Sequence, residues 1–268
     1  MAQFLRIILY QPILNALILL YKLFFSNLGV AIVALTGLIR LALIPLTNPQ
    51  LKSAQIMQEL NPELQKIKEK FKDDKQKLMQ AQMELYKKHG INPAAGCLPQ
   101  ILQFAILISL FQVFNQVIKP GDGVIEKINQ SLYPFVKLAE NTTFNMQFLY
   151  LNLSQPDLIK IPGFFNLPGV FVILATVFQF LSSRLMMPVV KKEEKEAKAT
   201  ESKSDDMAVS MQKQMLYLFP AMTLIFGYTM PSGVILYWFV FSLFSFIQQL
   251  LISQKRKGAK VYDQGRVK

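Results

Sequence analysis

The sequence predicts an all-α polytopic membrane protein, and three observations carry that prediction. Apolar runs of bilayer length recur along the chain, charged residues make up only 17% of it, and its mean hydropathy is +0.30. Soluble globular chains carry about 25% charged residues. A chain of 268 residues that is 52% hydrophobic therefore belongs with multi-span membrane proteins. The net charge of +12 would suit a nucleic-acid binder, but the basic residues cluster beside apolar runs. That is the pattern of cytoplasmic loops facing anionic lipid or ribosomal RNA. One cysteine, Cys97, excludes an internal disulfide framework, and one histidine, His89, argues against a histidine metal centre or a serine-type triad. There is no HExxH, no phosphate loop and no nucleophile–base pair, so neither an enzyme nor a cofactor is expected.

Residues 1–26 open with "MAQFLRIILYQPILNALILLYKLFF", in which Gln3, Arg6, Tyr10, Asn15 and Lys22 draw one polar stripe along an apolar helix. This reads as an amphipathic helix lying in the interface, with a signal segment or a sixth span as the competing readings. Five spans follow at about 28–46, 98–118, 167–188, 215–230 and 233–253, and prolines 45, 99, 188 and 220 are expected at or near their ends.

Between the first two spans, 51–90 reads as a helical hairpin. Leu60, Leu64, Ile67 and Phe71 form one apolar stripe and Leu78, Met79, Met83, Leu85 and Tyr86 a second. Asn61 is the expected N-cap with Pro62 at the first helical position, "KDDK" the turn and Gly90 the stop. Such a hairpin is either a solvated connector or a methionine-bearing binding surface. The external loop 119–166 is expected to be long and irregular. The segment 189–213 should be a flexible cytosolic loop, and 254–268 a basic cytosolic tail. Residues 47–97 hold nine Lys and Arg, 189–214 six and the tail six, against four in 119–166. The basic loops alternate correctly only with the N-terminus outside and the C-terminus in the cytosol.

The first span carries an arginine, Arg40, in "TGLIRLALIPL". A charge at mid-span costs about 2.5–3.5 kcal/mol on insertion scales. The bland explanation is snorkelling: Leu46 is roughly 9 Å away along the helix, nearly within reach of the headgroups. An intramembrane ion pair is not available, because none of the five spans contains Asp or Glu. Otherwise Arg40 must face water inside the bundle or a negative charge brought from elsewhere. Thr36 is one turn away on the same face. Gln100, Gln103, Gln112, Asn115 and Gln116 in the second span, Thr176, Gln179 and Ser183 in the third, and Trp238, Ser242, Ser245 and Gln249 in the fifth supply further polar stripes. Such stripes more often make interhelical hydrogen bonds than line cavities.

Over nearly its whole length the chain resembles the YidC/Oxa/Alb membrane protein insertases. The resemblance lies in "YQPILNALILLY", in "LTGLIRLALIPLTNPQLKSAQIMQELNPELQKIKEKF", in "INPAAGCLPQILQFAILISLFQVF" and in "MPSGVILYW", taken in this order. It departs from the family at "QFAI", where Ala105 stands in place of a frequent proline, and in a somewhat longer outer loop. The resemblance implies five helices around a hydrophilic groove, closed outside and open to the cytosol and to lipid. Arg40, Thr36, Gln179 and Trp238 would line this groove, with no catalytic residue, cofactor or metal. It implies nascent membrane proteins as clients, with the ribosome (through the basic tail), the Sec translocon, the signal recognition particle pathway and the lipid bilayer as partners. No large periplasmic domain precedes the first span, which points to a compact bacterial form in the cell (inner) membrane. The alternative is a small channel or anion transporter with Arg40 as its selectivity site.

Overall fold

The computed structural model describes residues 3, 6–71, 74–90, 98–118, 123–163, 166–186 and 216–266. The expected flexible loop 189–213, Lys72 and Asp73 of the expected turn, and "INPAAGC" with Cys97 lie outside the described residues. Contacts divide the chain into two compact units. The first is Met1–Ala42, Ile101–Phe178 and Ala221–Phe244; the second is Leu43–Gln100, Gln179–Pro220 and Ser245–Lys268.

In the first unit a π-helical turn, Arg6–Tyr10, runs into α1 (Gln11–Leu23), with proline in its first turn. Ile13, Leu14, Leu17, Ile18 and Tyr21 recur at three- and four-residue spacing and are buried. The polar stripe of α1 has a definite use. Arg6 donates to Ser131 Oγ (3.2 Å), Asn15 Nδ2 to the Ser131 carbonyl (3.1 Å), and Lys22 Nζ to the Lys137 carbonyl (2.8 Å). The Tyr133 N–H returns a bond to Asn15 Oδ1 (2.7 Å). The loop backbone, which has no ladder of its own there, thus takes its partners from α1. The chain leaves α1 through Phe25 and Ser26, both at φ 53°. Asn27 then caps α2 (Leu28–Glu59) by accepting from the Val30 N–H (3.1 Å). α5 (Leu98–Ile118) buries Ile106, Leu110, Val113, Phe114 and Val117 on one face.

The expected irregular loop is largely ordered. It contains α6 (Val124–Asn129), a 3₁₀ turn Pro134–Val136 and three two-residue strands, and a fourth takes the first two residues of the expected third span. β1 (Gln147–Phe148) pairs antiparallel with β2 (Leu151–Asn152), and β3 (Leu158–Ile159) with β4 (Leu167–Pro168). The architecture is therefore mostly helical with two minimal hairpins. Orphan N–H groups at helix starts explain the order. Ser232 and Gly233, which begin α9 (Ser232–Arg266), donate their N–H groups to the carbonyls of Gln155 (2.7 Å) and Leu153 (3.1 Å). α7 (Val170–Met186) is capped by Asp157, whose Oδ2 accepts from Phe171 (2.9 Å) and Val172 (3.3 Å). Any Cβ at Gly169 would strike that carboxylate, and one at Gly29 would strike the Phe148 ring.

In the second unit one expected proline position differs: helix continues past Pro45 to Glu59, whereas Pro220 is near the start of its helix as expected. Pro45 and Pro49 are inside α2, and Pro220 is inside α8 (Leu216–Gly227). Thr47 Oγ1 donates to the Leu43 carbonyl (3.0 Å), and Gln248 Nε2 donates to Thr47 Oγ1 and Asn48 Oδ1, both at 2.8 Å; these bonds tie the segment down but do not reach the Leu41 and Pro45 carbonyls that the two prolines free.

α3 (Asn61–Lys70) and α4 (Lys75–Lys88) share an apolar cluster of Leu60, Leu64 and Leu85, flanked by Ile56, Met57, Ile67 and Tyr86. Met79 and Met83 are exposed. The N-cap of α3 is Leu60 and not the expected Asn61, and no side chain caps it. Leu60 keeps a helical backbone after α2, and its carbonyl already accepts from Leu64 (2.9 Å), so the chain turns with little break. α4 has a conventional start: Asp74 accepts from the Lys77 N–H (3.0 Å).

Candidate functional site

The polar positions of interest in the first unit lie on α2 and α9. Along α2, Leu28, Ala31, Ile32, Leu35, Thr36 and Arg40 are buried, whereas Leu38 and Leu41 are exposed. The amphipathic period thus puts a cation on the inward stripe. Arg40 is 8% exposed; a snorkelling side chain would hold its head in the open. Its guanidinium carbon stands 4.3 Å from the centre of the Phe241 ring and 5.4 Å from that of Phe244. Cation–ring contacts of this kind contribute about 0.5–2 kcal/mol, more when desolvated. Thr36, one turn earlier, returns its hydroxyl proton to the Ile32 carbonyl at 2.6 Å.

Tyr237 lies within electrostatic reach of Arg40, is almost fully buried, and is hydrogen-bonded by Gln103 of α5. Tyr237, Phe241 and Phe244 follow one another at four and three residues on α9. The sequence reading missed this aromatic stripe, although its spacing was the available signal. Trp238 is half-buried and packs against Phe226 at 6.4 Å. Ser242, which is 2% exposed, keeps an Oγ with no hydrogen-bond partner among the described residues. Gln179 falls in the second unit, half-buried on α7. Of the four residues singled out from sequence, then, Arg40 and Thr36 share one buried stripe, Trp238 belongs to the same unit, and Gln179 does not.

A guanidinium cannot be deprotonated in a protein. Held among aromatic rings at low dielectric, it projects a stronger positive field than it would in water. It can attract an anion or a polar main chain, and no bond-making chemistry is implied.

Three helices, Arg6–Leu23, Leu28–Met57 and Ser232–Gln254, are long and apolar enough to cross a membrane. Shorter apolar helices cover Ile101–Val117, Val170–Leu185 and Leu216–Gly227. These features define a helical membrane protein with a positive charge kept inside it. The family described as 60Kd inner membrane protein matches residues 19–260. A relative in Fusobacterium nucleatum, "Membrane protein insertase YidC", is 36% identical over 230 residues, covering 86% of this chain and 88% of its own. "Membrane protein insertase YidC 1" of Halalkalibacterium halodurans is 33% identical, covering 88% and 74%. "Membrane protein insertase MisCA" of Bacillus subtilis is 32% identical, covering 90% and 76%. The chain belongs to the 60Kd inner membrane protein family, the YidC/Oxa/Alb insertases, which is not a family of enzymes. It is accordingly a bacterial inner membrane protein.

Proposed function

We propose that the chain inserts membrane proteins by receiving a hydrophilic flank of a nascent transmembrane segment in a polar groove open to the cytosol. The groove is formed by five spanning helices, with the N-terminus outside and the C-terminus inside, and α1 lies in the outer interface. The flank, often acidic, meets the Arg40 charge partway across, which shortens the low-dielectric distance it must travel. Membrane potential adds about 2.3 kcal/mol per elementary charge per 100 mV for an acidic tail moving outward. The apolar segment then leaves sideways into lipid. Thr36, Trp238 and Gln179 line the path as polar or aromatic walls. The hairpin α3–α4, with Met79 and Met83 exposed, receives clients or targeting factors. The basic tail contacts ribosomal RNA, and the Sec translocon and the signal recognition particle pathway supply some clients.

The observation that carries this reading is a charge on the buried stripe of an otherwise apolar helix, at 8% exposure, in a chain of this family. The test is reconstitution into liposomes with a single-span client bearing a short acidic N-tail. The expected result is a tail protected from added protease, with protection falling at least about tenfold in Arg40→Ala, the effect of losing one strong charge interaction. Equal protection for both proteins would remove Arg40 from the mechanism. No protection with either would remove the insertase reading of this chain acting alone.

A further inference from the structure

A second feature of the first unit is a cavity of about 850 Å³ between the turn Arg6–Tyr10 and the latter half of α5. Arg6, Tyr10, Phe111, Gln112, Asn115 and Gln116 line it. Its size falls within the range of roughly 300–1,000 Å³ that holds small ligands. The Tyr10 hydroxyl is already given to Gln116, and Arg6 spends one N–H on Ser131. A guanidinium carries five such donors in a fork that matches phosphate oxygens. No carboxylate lines the cavity among the described residues, so its electrostatic preference is for an anion.

The face of α5 that enters the cavity then changes character. Gln112 is exposed, and one and two turns earlier on the same face Ile108 and Phe104 are exposed too. Phe104 is about 12 Å from Gln112 along the helix, close to the roughly 15 Å of hydrocarbon in one leaflet. A cation, a patch of amides and an apolar track in that order have the layout of an amphiphile. A soluble anion would have no use for the track.

We propose that this cavity holds the headgroup of an anionic phospholipid. Arg6 pairs with the phosphate, Gln112 and Asn115 bond the glycerol and headgroup oxygens, and an acyl chain lies along Ile108 and Phe104. The assignment needs α5 to lie in a bilayer but does not depend on insertion activity.

The test uses the full chain in detergent and native mass spectrometry, with phosphatidylglycerol, a diacylglycerol and inorganic phosphate as probes. One phosphatidylglycerol should be retained and the phosphate-free diacylglycerol should not. Binding should weaken about tenfold in Arg6→Gln and in Gln112→Leu, the scale of one charge-assisted or buried hydrogen bond, and should largely return in Arg6→Lys. Gln112 is on the surface, so its variant carries the test if Arg6→Gln melts early in the absence of lipid. Equal retention of the diacylglycerol, or unchanged binding in folded Arg6→Gln and Gln112→Leu, would overturn the proposal. Displacement of the lipid by millimolar inorganic phosphate would make this a free-anion site and would overturn the lipid assignment.

Discussion

Two nearly buried charges in the first unit are handled in opposite ways. Asp157, 2% exposed, is bonded by the Tyr150 hydroxyl (3.0 Å) and by the N–H groups of Phe171 and Val172. Directional donors surround it, and it fastens the loop to the start of α7. Arg40, 8% exposed, rests against the faces of Phe241 and Phe244. Aromatic faces attract a cation with little directional demand. The difference separates a charge fastened by directional bonds to a loop and a helix start from one packed against ring faces, the charge proposed above to meet a client.

Asp157→Ala should break this comparison most severely. Losing a charged cap and its bonds costs about 3 kcal/mol, seen as a lower melting temperature in detergent, and Gly169→Ala should approach the same loss by driving a Cβ into the carboxylate. A melting point unchanged in both would mean that the knot is not structural. Gly29→Ala, which meets the Phe148 ring, should cost about 1–3 kcal/mol as overpacking does. Arg40→Met should sharpen the contrast by costing less stability than Asp157→Ala, since desolvation of the cation offsets part of what its contacts contribute.

The pH effects are smaller. Burial, and next the neighbouring Asp157 carboxylate, push the Tyr150 hydroxyl from 10.0 up to about 12. The folded state therefore favours neutral tyrosine. Its contribution is complete below pH 10 and fades as pH climbs through about 12, which Tyr150→Phe should remove from an alkaline melting series. The Lys77 N–H, then its side chain, holds Asp74 below its ordinary 3.8. That contribution is present above 3.8 and disappears as pH falls through the lower folded value. Asp74→Asn should flatten a slight acid-side slope in the helicity of an otherwise intact chain.

The sequence made the mostly helical, membrane-embedded character legible, because apolar runs and low charge are properties of composition. It also exposed Arg40, since a lone cation among leucines is visible without a structure. Asp157 was not legible as a cap. It precedes Phe171 by fourteen positions, and capping rules look to the residue next to the helix, as at Asn27 and Asp74. Tyr237, Phe241 and Phe244 escaped for another reason: aromatic residues in an apolar run read as lipid-facing until a partner such as Arg40 is known. Pro45 misled because a proline inside a helical run reads as a stop, whereas α2 continues past it to Glu59.

The most direct measurement compares two clients in liposomes, identical except for an acidic or a neutral N-tail, with the original chain, Arg40→Ala and Arg40→Lys. Insertion of the acidic tail should fall about tenfold in Arg40→Ala and recover substantially in Arg40→Lys, while the neutral tail changes much less. Equal loss for both tails, or no loss for the acidic one, would contradict a groove charge that acts on the charge of the client.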